Sequence, residues 1–350
     1  MGVGGQGRSP ASSRQGGTLE STADFIFDPL PPIDEPDASG AAGEPATLAA
    51  AAEPAEHPLG RLAGLRGTWI GEGFNVIWRP HHPTHHQLVD DHVLELNLTS
   101  ERLDFGPGLG KIPNRGLRQR NIGLHGLNYL QQISDATVSH ADNHDSKQHF
   151  EPGLWLRVPG TTDPEEPQTV ARLACIPHGT VILAQGTAQH LDGGPDIEPV
   201  SIRPFPIGVP TDEQDLKEQN LNRDSDFRIP RHPLQKGIKQ EWVDNPNSFI
   251  FIPRSTPHKP VVKTTKLHVS THGSLPDGGT LPGGGAANIA FLKGGPDGPN
   301  AVTAHVTATF WLQTFQGDPE PRRLQYSQTV LLNFNAVSWP HVTVATLYKQ

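Results

Sequence analysis

Cysteine is almost missing from this chain: Cys175 is the only one in 350 residues. No intrachain disulfide can staple the fold, and a reducing compartment is expected. Cys175 sits in the apolar run Val170-Ala171-Arg172-Leu173-Ala174-Cys175-Ile176 and reads as a buried, inert thiol. No apolar run reaches the length of a membrane-crossing helix, and the first residues lack the apolar core of a signal peptide. Met1-Gly2 is followed by Gln6, where a myristoylation signal needs Ser or Thr. A cytoplasmic protein, with no membrane partner, is the expectation. Lys and Arg number 28 against 37 acidic residues, a net charge of −9, with no dense basic stripe. Nucleic acid is therefore not an expected partner. G-x-S-x-G, H-E-x-x-H and a Cys-His motif of recognisable spacing are all missing, which leaves the hydrolase classes without support. No repeat of fixed period is visible.

What the chain does have is glycine and proline, 37 and 35 residues, with hydrophobic residues at only 34%. That balance points to short strands, long loops and unstructured segments. Residues 1–57 are rich in Gly, Ser, Pro, Ala and acidic residues without a sustained period, and are expected to be a disordered tail holding one apolar island, Phe25-Ile26-Phe27-Asp28-Pro29-Leu30. Residues 58–350 read as one domain. The run Leu62-Ala63-Gly64-Leu65-Arg66-Gly67-Thr68-Trp69 reads as a helical turn leading into a first strand that runs to about Arg79. Further strands are expected at 92–98, 126–134, 149–158, 169–176, 180–188, 197–203, 247–252, 266–271, 287–293, 301–315, 323–335 and 341–348. Such a series, uninterrupted by helical periods, implies an all-β fold: an antiparallel up-and-down β-barrel of about ten strands, lipocalin-like. Two stretches, about 80–125 and 204–260, fit poorly and are expected to be insertions, as lids, extensions or oligomer arms. A homodimer is one use for them.

The most informative side chain is His341, which opens the last strand, Trp339-Pro340-His341-Val342-Thr343-Val344-Ala345-Thr346-Leu347. An imidazole among β-branched residues must find a hydrogen-bond partner, stay neutral or ligate a metal. A second candidate is the cluster His81-His82-Pro83-Thr84-His85-His86 with Asp90, Asp91 and His92, a transition-metal site or a solvated, pH-responsive loop. His305 alternates with threonines and reads as the polar face of a sheet. In Gly67-Thr68-Trp69-Ile70-Gly71-Glu72-Gly73, glycines two apart bare one face of a strand for close backbone approach.

Four ordered blocks resemble the nitrobindin family, haem-binding relatives of the lipocalin and fatty-acid-binding-protein barrels. The Gly67–Gly73 block is similar to that family's G-x-W-x-G-x-G signature. His149-Phe150-Glu151-Pro152-Gly153-Leu154-Trp155 resembles its H-x-E-x-G-aromatic strand, with the aromatic one residue late. His178-Gly179-Thr180-Val181-Ile182-Leu183-Ala184-Gln185-Gly186 resembles a T-G-hydrophobic strand, and Leu324-Gln325-Tyr326 through Leu347 resembles the closing hairpin that supplies the proximal ligand. The resemblance implies haem b as cofactor, His341 as its axial iron ligand, and His149 as the catalytic distal residue. It also implies a pocket contact set that adds Thr68, Trp155 and His178, although His178 replaces a small hydroxyl residue and could equally sit at its Pro177–Gly179 turn. The implied function is binding or conversion of a small reactive nitrogen or oxygen species: NO, peroxynitrite or peroxide. The residues alone also allow a metal-free carrier of an apolar small molecule, an interaction scaffold, or a non-haem metalloprotein using the 81–92 loop.

Overall fold

In a computed structural model that describes residues 57–81, 92–117, 120–137, 147–252, 259–272, 284–289 and 301–350, ten strands pair in chain order. They are β1 (Gly67–Pro80), β2 (His92–Asn114), β3 (Ile122–Asp135), β4 (Lys147–Val158), β5 (Thr169–Ile176), β6 (Thr180–Asp192), β7 (Val261–Ser270), β8 (Val302–Phe315), β9 (Arg323–Phe334) and β10 (Val337–Lys349). Each pairs antiparallel with the next, and β10 returns to β1 with Trp69 opposite Lys349 and Val76 opposite Val342, closing the barrel. Closure leaves the ring without an edge strand. These residues belong to one unit, Ala55–Gln350. The expected tail, except for its last position, lies outside the described residues.

Alternation decides what faces inward. On β1 the inward positions begin with Trp69 and continue through Gly71 and Gly73 to Asn75; on β10 they are His341, Thr343, Ala345 and Leu347. One end of the interior is filled. The helical turn Gly60–Leu65 lays fully buried Leu62 and Leu65 across it, and the Trp69 Nε1–H donates to the Leu65 carbonyl at 2.7 Å. Trp155, Phe310, Leu324 and Leu347 complete this core, with Trp155 edge-on to Phe310 at 5.3 Å. Each such side chain contributes about 1.5–3 kcal/mol on burial. The bare strand face anticipated at Gly71 and Gly73 has a specific use. A Cβ on Gly71 would strike the Thr346 carbonyl, and one on Gly73 would strike the Glu101 carboxylate and the Thr99 hydroxyl.

The second core lies outside the barrel. Between β6 and β7 the chain leaves the ring and returns through short helical turns at Pro233–Lys236, Gln240–Asp244 and Pro246–Phe251. Ile202, Trp242, Val243, Phe249 and Ile250 cover Phe74, Val76 and Trp78 of β1, Leu94 and Leu96 of β2, and Val342 and Val344 of β10. Both faces of these strands are thus buried, which is why they read as nearly continuous apolar runs. The excursion expected at 204–260 is therefore a coat over one wall.

Several expectations need correction. The stretch 80–125, where it is described, is ring strand: it contains all of β2 and the start of β3, and Gly106–Gly110 lies within β2, spanning register shifts at Phe105/Gly108 and Gly108/Lys111. Bulges are where a strand tolerates Pro107. Residues 197–203 form no strand, and 247–252 are a helical turn, started by Pro246 and by Asn245 accepting from the Asn247 N–H at 3.1 Å. Of the strand expected at 287–293, residues 290–293 lie outside the described residues; the described strand is Gly285–Asn288. Cys175 is exposed, because alternation on β5 turns Arg172 and Ala174 inward and Cys175 out. Among the described residues no helix is long and apolar enough to cross a membrane.

Candidate functional site

Opposite the filled end, the interior opens into a cavity of about 380 Å³ lined by His341, His149 and His178 together. Its walls are Ile77, Ile133, Ile176, Val330 and Leu332. Polar groups reach it from Asn75, Arg79, Gln131, Thr180, Thr303, Tyr326, Gln328 and Thr343. Concave volumes of this size, mostly apolar with a few aimed polar groups, hold small molecules. A larger cleft of about 530 Å³ lies on the outer coat, between Arg203, Asp215, Lys217 and Arg223. These charges are exposed, and Arg203 Nε pairs with Asp215 at 2.6 Å. The inner cavity is the better site because it alone holds the candidate histidines.

His341 is half-buried on the inward phase of β10. Its Nε2 stands 2.8 Å from Asn75 Oδ1, which also accepts from the Thr343 hydroxyl at 2.9 Å. Asn75 faces Thr343 in the β1–β10 register, so the strand pairing itself aims this carbonyl at the imidazole. Burial first, then the charges of His149 and His178, push the His341 pKa down to about 3. The ring is therefore neutral at physiological pH, its hydrogen on Nε2 and its lone pair on Nδ1.

His149 enters from β4, four strands from β10 around the ring by way of β1. Its Nε2 lies 3.2 Å from Glu151 Oε2. Its ring centre is 5.8 Å from that of His178, which is exposed at the turn before β6. Both roles left open for His178 are thus compatible: it sits at the turn and also lines the cavity. Burial lowers its pKa, with His149 adding to the effect and a hydrogen bond with the Gln148 backbone opposing it.

Below the cavity lies a polar layer that inspection of histidines did not anticipate. Arg172, 1% exposed, donates to Glu151 at 2.5 Å, to the Tyr129 hydroxyl at 2.9 Å and to Gln328 at 2.6 Å. Tyr129 also donates to Glu151. Burial works against the Glu151 charge, but Arg172, His149 and Tyr129 outweigh it and hold the pKa at about 2. A second carboxyl, Glu101, accepts from the Tyr326 hydroxyl at 2.5 Å and from Thr99 at 2.8 Å. The sequence carries one signal for this layer: Val170, Arg172 and Ala174 share a strand phase, and an arginine in an otherwise apolar phase must be paired inside.

The other expected contacts fall elsewhere. Thr68 does not line the cavity; its hydroxyl donates to Asp104 at 2.6 Å. Trp155 belongs to the apolar core at the filled end. His305 bonds Ser270 at 2.9 Å and packs against His272 with ring centres 4.2 Å apart and planes tilted by 45°, as expected of a polar sheet face. Of the 81–92 cluster, residues 82–91 lie outside the described residues. His81 packs on Phe227 and His92 on Trp339, in the outer coat. Among the described residues no group of three or more His, Cys, Asp or Glu side chains converges as a metal cage. No protein-family model matches the chain, and a search of curated proteins finds no match either.

Proposed function

We propose that the chain is a haem-binding β-barrel protein of the nitrobindin type, with His341 as the axial ligand, acting on a small reactive nitrogen or oxygen species. The observation that carries this reading is the cavity shared by His341, His149 and His178, with His341 neutral and oriented. The donor set fits the group. An axial imidazole must be uncharged and is commonly held by a hydrogen bond from its second ring nitrogen to a carbonyl. The Asn75 carbonyl supplies that bond to Nε2, leaving the Nδ1 lone pair as the donor. Ile133, Val330 and Leu332 offer aliphatic walls for the macrocycle, and Arg79, partly exposed and ion-paired with Glu95 at 2.7 Å, also lines the cavity.

Bound haem would supply an iron that acts as Lewis acid and redox centre. The chain's own residues supply the rest. Asn75 and Thr343 fix the His341 ring. Ionised Glu151 accepts the His149 Nε2–H, so Nδ1 is the nitrogen left to exchange a proton with a ligand in the cavity. Arg172 keeps Glu151 ionised and so keeps His149 oriented.

The test is the absorption spectrum of purified protein supplied with haem, for wild type and His341→Ala. A Soret band of ligated haem in the wild type, lost in the variant, is the expected result. No band in the wild type, or an unchanged band in the variant, removes the reading. The same aliphatic walls favour a second reading, a metal-free carrier of an apolar molecule; co-purifying lipid with no iron by elemental analysis selects it.

A further inference from the structure

Glu101 and Glu151 are both buried inside the barrel, 2% and 0% exposed, and each is bonded to a tyrosine hydroxyl. Their charges are handled differently. Glu151 is paired with Arg172. Glu101 has, among the described residues, no lysine or arginine within ion-pair distance; its partners are Tyr326, Thr99 and, at longer range, Gln131 and the charge of His149. Its tyrosine also differs in place. Tyr326 lines the cavity, and its oxygen accepts from Gln131 Nε2 at 2.9 Å, whereas Tyr129 does not reach the cavity.

We propose that Glu101 and Tyr326 form a proton relay into the cavity, with Tyr326 the residue that touches the ligand and Glu101 the positioning residue and proton source behind it. The reading rests on the cavity being the ligand site. With Glu101 protonated, the bond that Tyr326 donates to the carboxylate reverses: the Glu101 Oε2–H points to the Tyr326 oxygen and the tyrosine O–H turns to the ligand. In the transfer the Glu101 Oε2–H bond breaks as an O–H bond forms on the Tyr326 oxygen. The tyrosine's original O–H bond breaks in concert and its proton passes to an oxygen of the ligand. Tyr326 stays neutral, Glu101 is left as a carboxylate held by Thr99 and Tyr326, and no electron moves. The ligand class is a small molecule with a basic oxygen, such as a peroxide or an oxyanion.

The surroundings suit that task. Burial raises the Glu101 pKa to about 7, against the hydrogen bonds from Tyr326 and Thr99 and the charge of His149. A carboxyl poised there holds a proton and releases it near neutral pH, while its neighbour Glu151 stays ionised; two carboxyls driven apart in this way mark an acid and an anion. The groups facing Glu101 are Tyr326 from β9, His149 from β4, the Gln131 amide from β3, Thr99 on its own strand and, from β1, only the bare Gly73. Arg172 and Glu151 act on Tyr326 rather than on Glu101. Gly73 gives the carboxyl its space, since a Cβ there would strike it.

The experiment is time-resolved infrared spectroscopy of the ligand-free full chain after a pH jump, following the protonated-carboxyl band. Expected is a band that titrates near pH 7, is missing in Glu101→Gln, and decays about a hundredfold more slowly in Tyr326→Phe. Should Glu101→Gln not fold, a shifted band in Glu101→Asp makes the assignment. A band that does not titrate, or one that decays equally fast in Tyr326→Phe, overturns the relay, because a purely structural tyrosine would move the equilibrium and not the rate. A second arm follows haem-supplied protein reacting with hydrogen peroxide, where the inflection near pH 7 is lost in both variants; an inflection that persists in both also overturns the relay. If the infrared arm succeeds and no haem binds, the relay stands and the haem reading alone falls.

Discussion

At the end capped by Gly60–Leu65 the inward positions carry Trp69, Trp155, Phe310 and Leu347; a few residues along the same four strands they carry Asn75, His149, Thr303 and His341. The strands, their pairing and their closure are common to both halves. What differs is side-chain volume and polarity. The filled half buries large apolar groups that hold the ring shut, and that lets the other half keep open space and polar atoms that contribute little to stability. Between them lies the layer of Arg172, Glu151, Tyr129, Glu101 and Tyr326. There every buried polar group must be bonded, since an unbonded one costs the full desolvation penalty.

Removing Arg172 should have an effect as large as any, because it strands Glu151 as an uncompensated buried charge. Arg172→Met is expected to destabilise the chain by about 3–5 kcal/mol in urea unfolding; a loss below about 1 kcal/mol would show that the layer does not separate the halves as described. Next, Phe310→Ala in the filled half should cost about 3–5 kcal/mol, and Val330→Ala on the cavity wall only about 1 kcal/mol, since that side chain already borders open space. Equal losses would break the distinction between filled and hollow.

Glu101→Gln tests the layer through pH. The folded-state pKa of Glu101 lies above its ordinary 4.5, at about 7. Its contribution is therefore fully present below 4.5 and is lost as pH rises through 7. The neutral amide avoids that loss, so the variant should gain on wild type by up to about 3 kcal/mol at pH 8, the gap closing toward acid pH. A gap of constant size across the range would contradict an ionising Glu101. The smallest effect is expected of Thr68→Val, which removes the bond to Asp104 and costs about 1 kcal/mol. It should leave haem affinity unchanged in a spectral titration, as Thr68 is outside the cavity.

The parts of the fold legible from sequence were those where composition and alternation agree. β5 was expected at 169–176 and spans Thr169–Ile176, and β9, expected at 323–335, spans Arg323–Phe334, whereas β10 begins at Val337 and not at 341. Legibility failed where one signal was read without its context. Gly106-Pro107-Gly108-Leu109-Gly110 has the composition of a loop, and only long-range pairing with β3 makes it a bulged strand. Residues 197–203 and 247–252 have the composition of strands, but their apolar side chains cover the outside of β1, β2 and β10. In the site, histidines were visible because imidazole is rare in an apolar strand. Glu101 and Arg172 were not, because a charge in a strand reads first as its solvent face; only the phase shared with Leu103 and Phe105, or with Val170 and Ala174, turns them inward. Asn75, hidden between Phe74 and Val76, gave no signal until the β1–β10 register set it against Thr343.

The claim that the hollow half is a haem site ligated by His341 is tested most directly by resonance Raman spectroscopy of reduced, haem-loaded protein, read for the iron–histidine stretching mode. Expected is the mode in wild type, its loss in His341→Gly, and its return when free imidazole is added to that variant. An iron–histidine mode that survives in His341→Gly without added imidazole would contradict His341 as the ligand.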